Sequence, residues 1–332
     1  CRLRFAGCLG FLGLLLALFV LLAFILARNA GALEAVPLPE DLAVQLVIDN
    51  SNSMFDKDGV GTDPELLRMA AARLFIEYLG VDDGRFQPTC GLIFFGTEAI
   101  AMSPLVSLAE ANHRATLAEL LTEPQRLGWT DHLKALEMAR HGLDQAEGRK
   151  AIILLTDGKP EWKDQPSPEE QTAYGDGMAA LGRQLADEGI ALFIILLAGP
   201  QTAADAELAI VWQPMWQDMA AATVEGRFLI AQDAADMPAV YHDIVVALAG
   251  RQSDGAVIDD VVAPGGLRQT VPVEPYLARL ILVVRKSHPA TTVTIYRPDG
   301  SAVAHTTDSQ GLALVTDGPL EEIWTFGNPE SG

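Results

Sequence analysis

The chain has 332 residues, of which 49% are hydrophobic and 20% charged, and its net charge is −21. That length exceeds the ~100 to 200 residues of a typical single domain, and the composition excludes a disordered tail or a fibrous repeat. So acidic a chain repels phosphates, which excludes nucleic acid and anionic lipid headgroups as partners and makes divalent cations the natural ones.

From Phe5 to Ala27 no residue is charged, and the run is mostly Leu, Phe, Ala, Val and Ile. A helix of ~20 residues at about 1.5 Å per residue crosses the hydrocarbon layer, so this stretch is expected to be a transmembrane anchor. Ala30, Gly31 and Ala32 supply a small-x-small cleavage pattern, but the run is longer than the ~7 to 15 residues of a signal-peptide core. A retained anchor is therefore expected, and cleavage would make the protein secreted. Arg2 and Arg4 precede the run and only Arg28 follows closely, ahead of Glu34, Glu40 and Asp41. This bias places a single-pass protein in the cell membrane, its N-terminus cytoplasmic and the remainder outside. Without those three arginines, 20 basic and 44 acidic residues leave a net of −24.

Cys1 and Cys8 lie at or inside the apolar segment, and Cys90 sits in a strand-like run where a small buried thiol is expected. The chain lacks an initiator Met, and it stops at Gly332 after a turn where another strand would follow. A partial sequence is expected.

Residues 29–39 read as a short spacer of small residues and prolines. Leu42 to Asp49 is a nearly continuous apolar run, as in a parallel strand covered on both faces. Asp63, Pro64 and Glu65 mark a helix start for a helix reaching Leu79. Cys90 to Phe95 and Ala99 to Leu108 read as a hairpin around Gly96 and Thr97. Helices are predicted over Arg114 to Leu121 and His132 to Leu143, and a second buried strand over Ala151 to Thr156. A helix from Gly177 to Glu188 leads into a third buried strand, Ala191 to Ala198. Trp216 to Thr223 is predicted helical, with Met215, Trp216 and Met219 as a core-packing face. Arg227 to Ala231 is a short strand and Met237 to Leu248 a helix. Strands alternating with helices give an α/β, doubly wound, Rossmann-like domain over 40–250.

Beyond Gly250 the pattern changes. Leu277 to Val284, Thr291 to Tyr296, Leu312 to Thr316 and Glu321 to Phe326 are short β-type runs separated by turns such as Pro298, Asp299, Gly300. A β-rich, Ig-like sandwich over 251–332 is expected.

At the carboxyl end of the first buried strand stand Asp49, Asn50, Ser51, Asn52 and Ser53, a DxSxS pattern. In open α/β sheets ligands bind at that end of the strands. One carboxylate and two hydroxyls on alternate residues of a tight loop suit Mg²⁺, which takes about six hard oxygen ligands near 2.1 Å. Asp157 ends another buried strand in Thr156, Asp157, Gly158, offering a second carboxylate at the same edge. Thr130, beside Asp131 and after Gly128 and Trp129, lies in a loop between helices and can supply a third hydroxyl.

In these five positions the sequence resembles the von Willebrand factor type A (vWA) domain family. Its metal-ion-dependent adhesion site combines DxSxS, a Thr from a distant loop and an Asp after the fourth strand. The likeness covers residues 40–250 and implies a six-stranded, mostly parallel sheet with an antiparallel edge strand. It also implies that Ser51, Ser53 and Thr130 hold Mg²⁺ (or Mn²⁺ or Ca²⁺) directly, with Asp49 and Asp157 acting directly or through water. An acidic residue of a partner protein would complete the coordination, with Asn50, Asn52, Trp129 and Asp131 shaping selectivity. The resemblance thus points to adhesion or protein binding at the membrane, not catalysis. The same fold also occurs in cytoplasmic partners of ATPases of the MoxR or magnesium-chelatase type, an assembly role that needs the opposite topology.

Other motifs carry less. Asp56 to Gly59 starts like a calcium loop, but Val60 and Leu67 stand where oxygen donors are required. The six histidines show no zinc spacing, and no GxSxG or Walker A sequence occurs.

Overall fold

The computed structural model describes residues 40–55, 61–81, 85–199, 202, 205–233, 236–250, 266–273, 277, 279–286, 288, 290–303, 312–317 and 321–327. The expected anchor, the spacer and the calcium-like segment at 56–60 lie outside these. Among the described residues no helix is long and apolar enough to cross a membrane. The chain divides into two compact units, Cys1–Leu38 and Pro39–Gly332, and the description that follows concerns the second.

Six strands form the main sheet: β1 (Glu40–Asp49), β2 (Phe86–Phe95), β3 (Ala99–Ser107), β4 (Arg149–Thr156), β5 (Ile190–Leu197) and β6 (Arg227–Ala231). Their spatial order is β3-β2-β1-β4-β5-β6. Only β3 runs antiparallel to its neighbour, as a hairpin edge; the other pairings are parallel. The order reverses direction between β1 and β4, and open α/β sheets leave a crevice at the carboxyl ends of such a pair.

The continuous apolar runs of β1, β4 and β5 follow from helices on both faces of the sheet. In β1, Leu42, Val44, Leu46 and Ile48 pack into one core with helices α1 (Leu67–Leu79), α2 (Ala111–Leu120) and α6 (Met237–Leu248). The alternate residues Ala43 and Val47 face a second core with α3 (His132–Gly142), α4 (Pro168–Asp187) and α5 (Gln213–Ala222). This period of two turns one strand into a wall shared by two layers. Trp216 and Met219 are buried in the second core and Met215 packs against it, matching the core role read from the sequence.

Four helix starts differ from expectation; α2 and α5 begin three residues earlier than read, at Ala111 and Gln213. α4 begins at Pro168, because Ser167 and Glu170 form a reciprocal capping box and Pro168 occupies the first turn. α1 begins at Leu67, later than expected, because Leu66 adopts a left-handed conformation with φ 57°. Asp63 still caps it, accepting from the backbone N–H of Leu67 at 2.8 Å and of Arg68 at 3.0 Å. A single π-helical turn, Leu208–Trp212, precedes α5.

Past residue 250, β7 (Arg279–Arg285), β9 (Glu321–Gly327) and β8 (Leu312–Asp317) form one antiparallel sheet in that order. The strand predicted at Thr291 to Tyr296 is not formed. Its residues make a tight hairpin instead, with one bridge from Tyr296 to Ala302 and the turn closed by Gly300 N–H on the Arg297 carbonyl. Pro298 takes the second position of this turn, where its fixed φ suits and no N–H is needed. Leu282, Trp324 and Phe326 meet Ile295 and Val303 of this hairpin on one face. The other face sends Ile323, with Ile281 and Val283, into the first core.

Candidate metal centre

The loop leaving β1 folds back on itself at once. Asp49 Oδ1 accepts from the Ser51 N–H at 2.8 Å, and Asn52–Met54 make one short 3₁₀ turn. This brings Ser51 Oγ to 2.9 Å from Ser53 Oγ. Ser53 Oγ in turn donates to Asp157 Oδ1 at 2.9 Å, across the gap between β1 and β4. Parallel pairing sets Ile48 beside Leu155, so the residues that follow, Asp49 and Thr156, are neighbours. Thr156 Oγ1 donates to Asp49 Oδ2 at 2.7 Å.

Thr130 arrives on a loop stitched to this corner by backbone hydrogen bonds. Leu127 N–H donates to the Asn50 carbonyl, Asn52 N–H to the Gly128 carbonyl, and Asp131 N–H to the Gly96 carbonyl, at 2.8 to 2.9 Å. Gly128 has φ +84°, and a Cβ there would lie 2.6 Å from Thr97 Oγ1, so the turn that presents Thr130 requires glycine. Thr130 and Glu161 exchange two backbone hydrogen bonds at 3.0 and 3.1 Å, and Glu161 is close enough to Asp157 to be raised in pKa, first by burial and then by that charge.

The centre is electrostatically unfavourable by itself. Asp49 is fully buried, and burial, then repulsion from Asp157, pushes its carboxyl up to about 7. Burial also raises Asp157, although hydrogen bonds from Thr62 and Ser53 and the charge of Arg68 oppose this. Asp157 Oδ2 is buried with no hydrogen-bond partner. Two buried carboxylates, one with an orphaned oxygen, beside clustered hydroxyls, fit a small hard cation that would supply the missing charge and the missing contact. Among the described residues no three His, Cys, Asp or Glu side chains are grouped to hold a metal ion. The donor set here is hydroxyl-rich, with two carboxylates only. Ser53 is half-buried and Asn52 exposed, whereas Asp49, Ser51, Thr130 and Asp157 are buried.

The four residues expected to shape selectivity part company. Trp129, 38% exposed, and Asn52 stand at the surface of the site. Asp131 is half-buried and caps α3, accepting from Lys134 N–H at 3.2 Å and from Tyr174 Oη at 3.3 Å. Asn50 is fully buried, and its Oδ1 accepts from Arg68 Nη2 at 3.2 Å.

Several residues that build the centre were not singled out from the sequence. Arg68, fully buried, pairs with Asp63 Oδ2 at 2.8 Å and lies over the Phe55 ring. On a helix expected to be amphipathic, only its place on the face shared with Ala71, Ala72 and Phe75 could have signalled this. Thr62 and Thr156 add hydroxyls on Asp157 and Asp49. His132 lies against Thr156 at 2.8 Å, and burial drives its pKa down to about 3.

Residues 44–159 match the sequence profile described as the von Willebrand factor type A domain. Among solved structures, the chain is similar to the PilB minor pilin from Streptococcus sanguinis, with TM-score 0.51 and 16% identity over 65% of this chain and 63% of that one. The vWF domain of the type V pili tip protein Mfa5 from Porphyromonas gingivalis gives TM-score 0.47 and 13% identity, over 67% of this chain and 99% of that one. An aerotolerance-related membrane protein from Bacteroides fragilis NCTC 9343 gives TM-score 0.44 and 17% identity, over 63% of this chain and 99% of that one. No curated protein sequence matches the chain. With the profile match falling on the strands and loops that form the centre, and the sheet order of the fold in place, the chain carries a von Willebrand factor type A domain.

Proposed function

We propose that residues 40–250 form a metal-dependent protein-binding module, held at the outer face of the cell membrane by the segment Phe5 to Ala27, with 251–332 as a β-rich appendage. The observation that carries this reading is Asp157 Oδ2, a buried carboxylate oxygen without a partner beside Asp49, Ser51 and Ser53. Ser51, Ser53 and Thr130 would hold Mg²⁺, with Mn²⁺ or Ca²⁺ as substitutes, and Asp49 and Asp157 would balance its charge. Bound there, the cation supplies an electrophilic position that an acidic side chain of a partner protein can fill. Trp129 and Asn52 border that position and would contact the partner.

Calorimetric titration with MgCl₂ of the parent, Asp49→Ala and Thr130→Ala tests the site. Binding by the parent and its loss in both variants is expected; equal affinity in all three would overturn the reading. Protease treatment of intact cells tests the topology, since an exported domain is cut and an internal one, as an ATPase partner would be, is protected.

A further inference from the structure

Two hydrogen bonds in series end on the Asp49 carboxylate. Thr156 Oγ1 lies 2.7 Å from Asp49 Oδ2, and His132 Nε2 lies 2.8 Å from Thr156 Oγ1. All three residues have no exposed surface. Ionised, as it must be to hold a cation, Asp49 only accepts; the other acceptor near Thr156, the Gly158 carbonyl, is farther at 3.3 Å, and the Gly158 N–H points to Thr156 Oγ1 at 3.4 Å. The single hydroxyl hydrogen therefore goes to Asp49, and Thr156 Oγ1 is left as an acceptor. His132 must then donate to it from Nε2. The imidazole is held between Phe95 and Trp216, with ring centroids at 5.5 and 5.1 Å, and its Nδ1 has no partner.

A histidine buried only for packing gains nothing from a polar ring whose other nitrogen stays unsatisfied. Here its polar contact is to a hydroxyl that grips Asp49. With Oδ1 taken by the Ser51 N–H and Oδ2 by Thr156, both oxygens of this carboxylate are fixed in direction before any ligand arrives. We propose that His132, acting through Thr156, is a positioning residue for the candidate metal centre: the pair locks the Asp49 carboxylate and the Nε2–H tautomer of the imidazole. The inference rests on the metal-binding reading above and adds to it two residues outside the five-residue motif.

The test uses the full chain. Calorimetric titration with MnCl₂ and MgCl₂ compares the parent with Thr156→Val, Thr156→Ser, His132→Phe and the double variant Thr156→Val/His132→Phe, each checked for folding by circular dichroism. Thr156→Val is expected to weaken binding about tenfold or more and Thr156→Ser to restore most of it. His132→Phe should weaken binding in the parent and have no further effect once Thr156 is Val. Long-range ¹H–¹⁵N spectra of the histidines in the parent should show His132 as the Nε2–H tautomer. An Nδ1–H tautomer, parent-like affinity in folded Thr156→Val, or fully additive losses would overturn the proposal. A parent chain that binds neither ion would overturn the metal reading, and the spectra would still decide whether the hydrogen-bond series exists.

Discussion

Ser53 Oγ donates to Asp157 Oδ1 at 2.9 Å, joining two loops that leave different strands and are 104 residues apart in sequence. The bond closes the crevice between β1 and β4 and sets a hydroxyl beside a carboxylate whose second oxygen has no partner. The arrangement is costly while no cation is present, and that cost can be measured.

Stability should therefore respond to pH and to metal together. The folded pKa of Asp49, about 7, lies above its ordinary value of 3.8, and that of Asp157 is also raised. The folded state binds these protons more tightly than the unfolded state, so stability from this pair is full below about pH 4 and is lost as pH rises toward 7. A bound divalent cation removes the cause. Melting temperatures in EDTA should fall between pH 5 and 7.5 more than those in saturating Mg²⁺, which at 100 times its Kd adds about 2.7 kcal/mol. A Mg²⁺ increment that is the same at both pH values would contradict this.

Arg68→Met should unfold the domain more readily. The guanidinium is fully buried against Asp63 and Asn50, and its removal leaves the Asp63 charge uncompensated in the interior. Breaking such a pair costs about 3–5 kcal/mol. Urea titration gives the value, and a loss below about 1 kcal/mol would show that solvent reaches Asp63.

Gly128→Ala combines a left-handed backbone with a Cβ 2.6 Å from Thr97 Oγ1. A stability loss of ~1–3 kcal/mol is expected, together with weaker Mg²⁺ binding, because the same turn presents Thr130. Calorimetry on a folded variant with unchanged Mg²⁺ affinity would separate this turn from the site.

In the C-terminal sheet, Glu322 receives Lys286 Nζ and Trp324 Nε1, both at 2.9 Å, in a buried pair. Glu322→Ala strands a buried ammonium and an indole N–H, and a loss of about 3–5 kcal/mol is expected. Hydrogen exchange should place the loosening in β7 and β9; exchange unchanged there would mean that apolar packing around Trp324 alone holds this sheet.

The strand runs at Leu42 to Asp49, Ala151 to Thr156 and Ala191 to Ala198 were legible because burial on both faces demands unbroken apolar sequence, which little else in a soluble domain produces. Arg227 to Ala231 and Met237 to Leu248 were found with their boundaries intact. The first half of α4 was missed: its polar residues carry no periodicity, although Ser167, Pro168 and Glu170 spelled out its start. Thr291 to Tyr296 had strand composition, but among the described residues it pairs only through the bridge from Tyr296 to Ala302.

For the candidate site, the oxygen-bearing residues and their order, DxSxS, then Thr130, then Asp157, were legible in the sequence by itself. That pattern needs no coordinates, because a tight loop after a strand can turn its alternate side chains to one spot. Tertiary structure alone decided which other groups surround them. Parallel pairing of β1 with β4 put Thr156 on Asp49, the start of α3 brought His132 to Thr156, and helix α1 brought Arg68 to the buried Asn50. Such contacts join residues up to 107 positions apart, and chain order carries no signal of a distance that only folding closes.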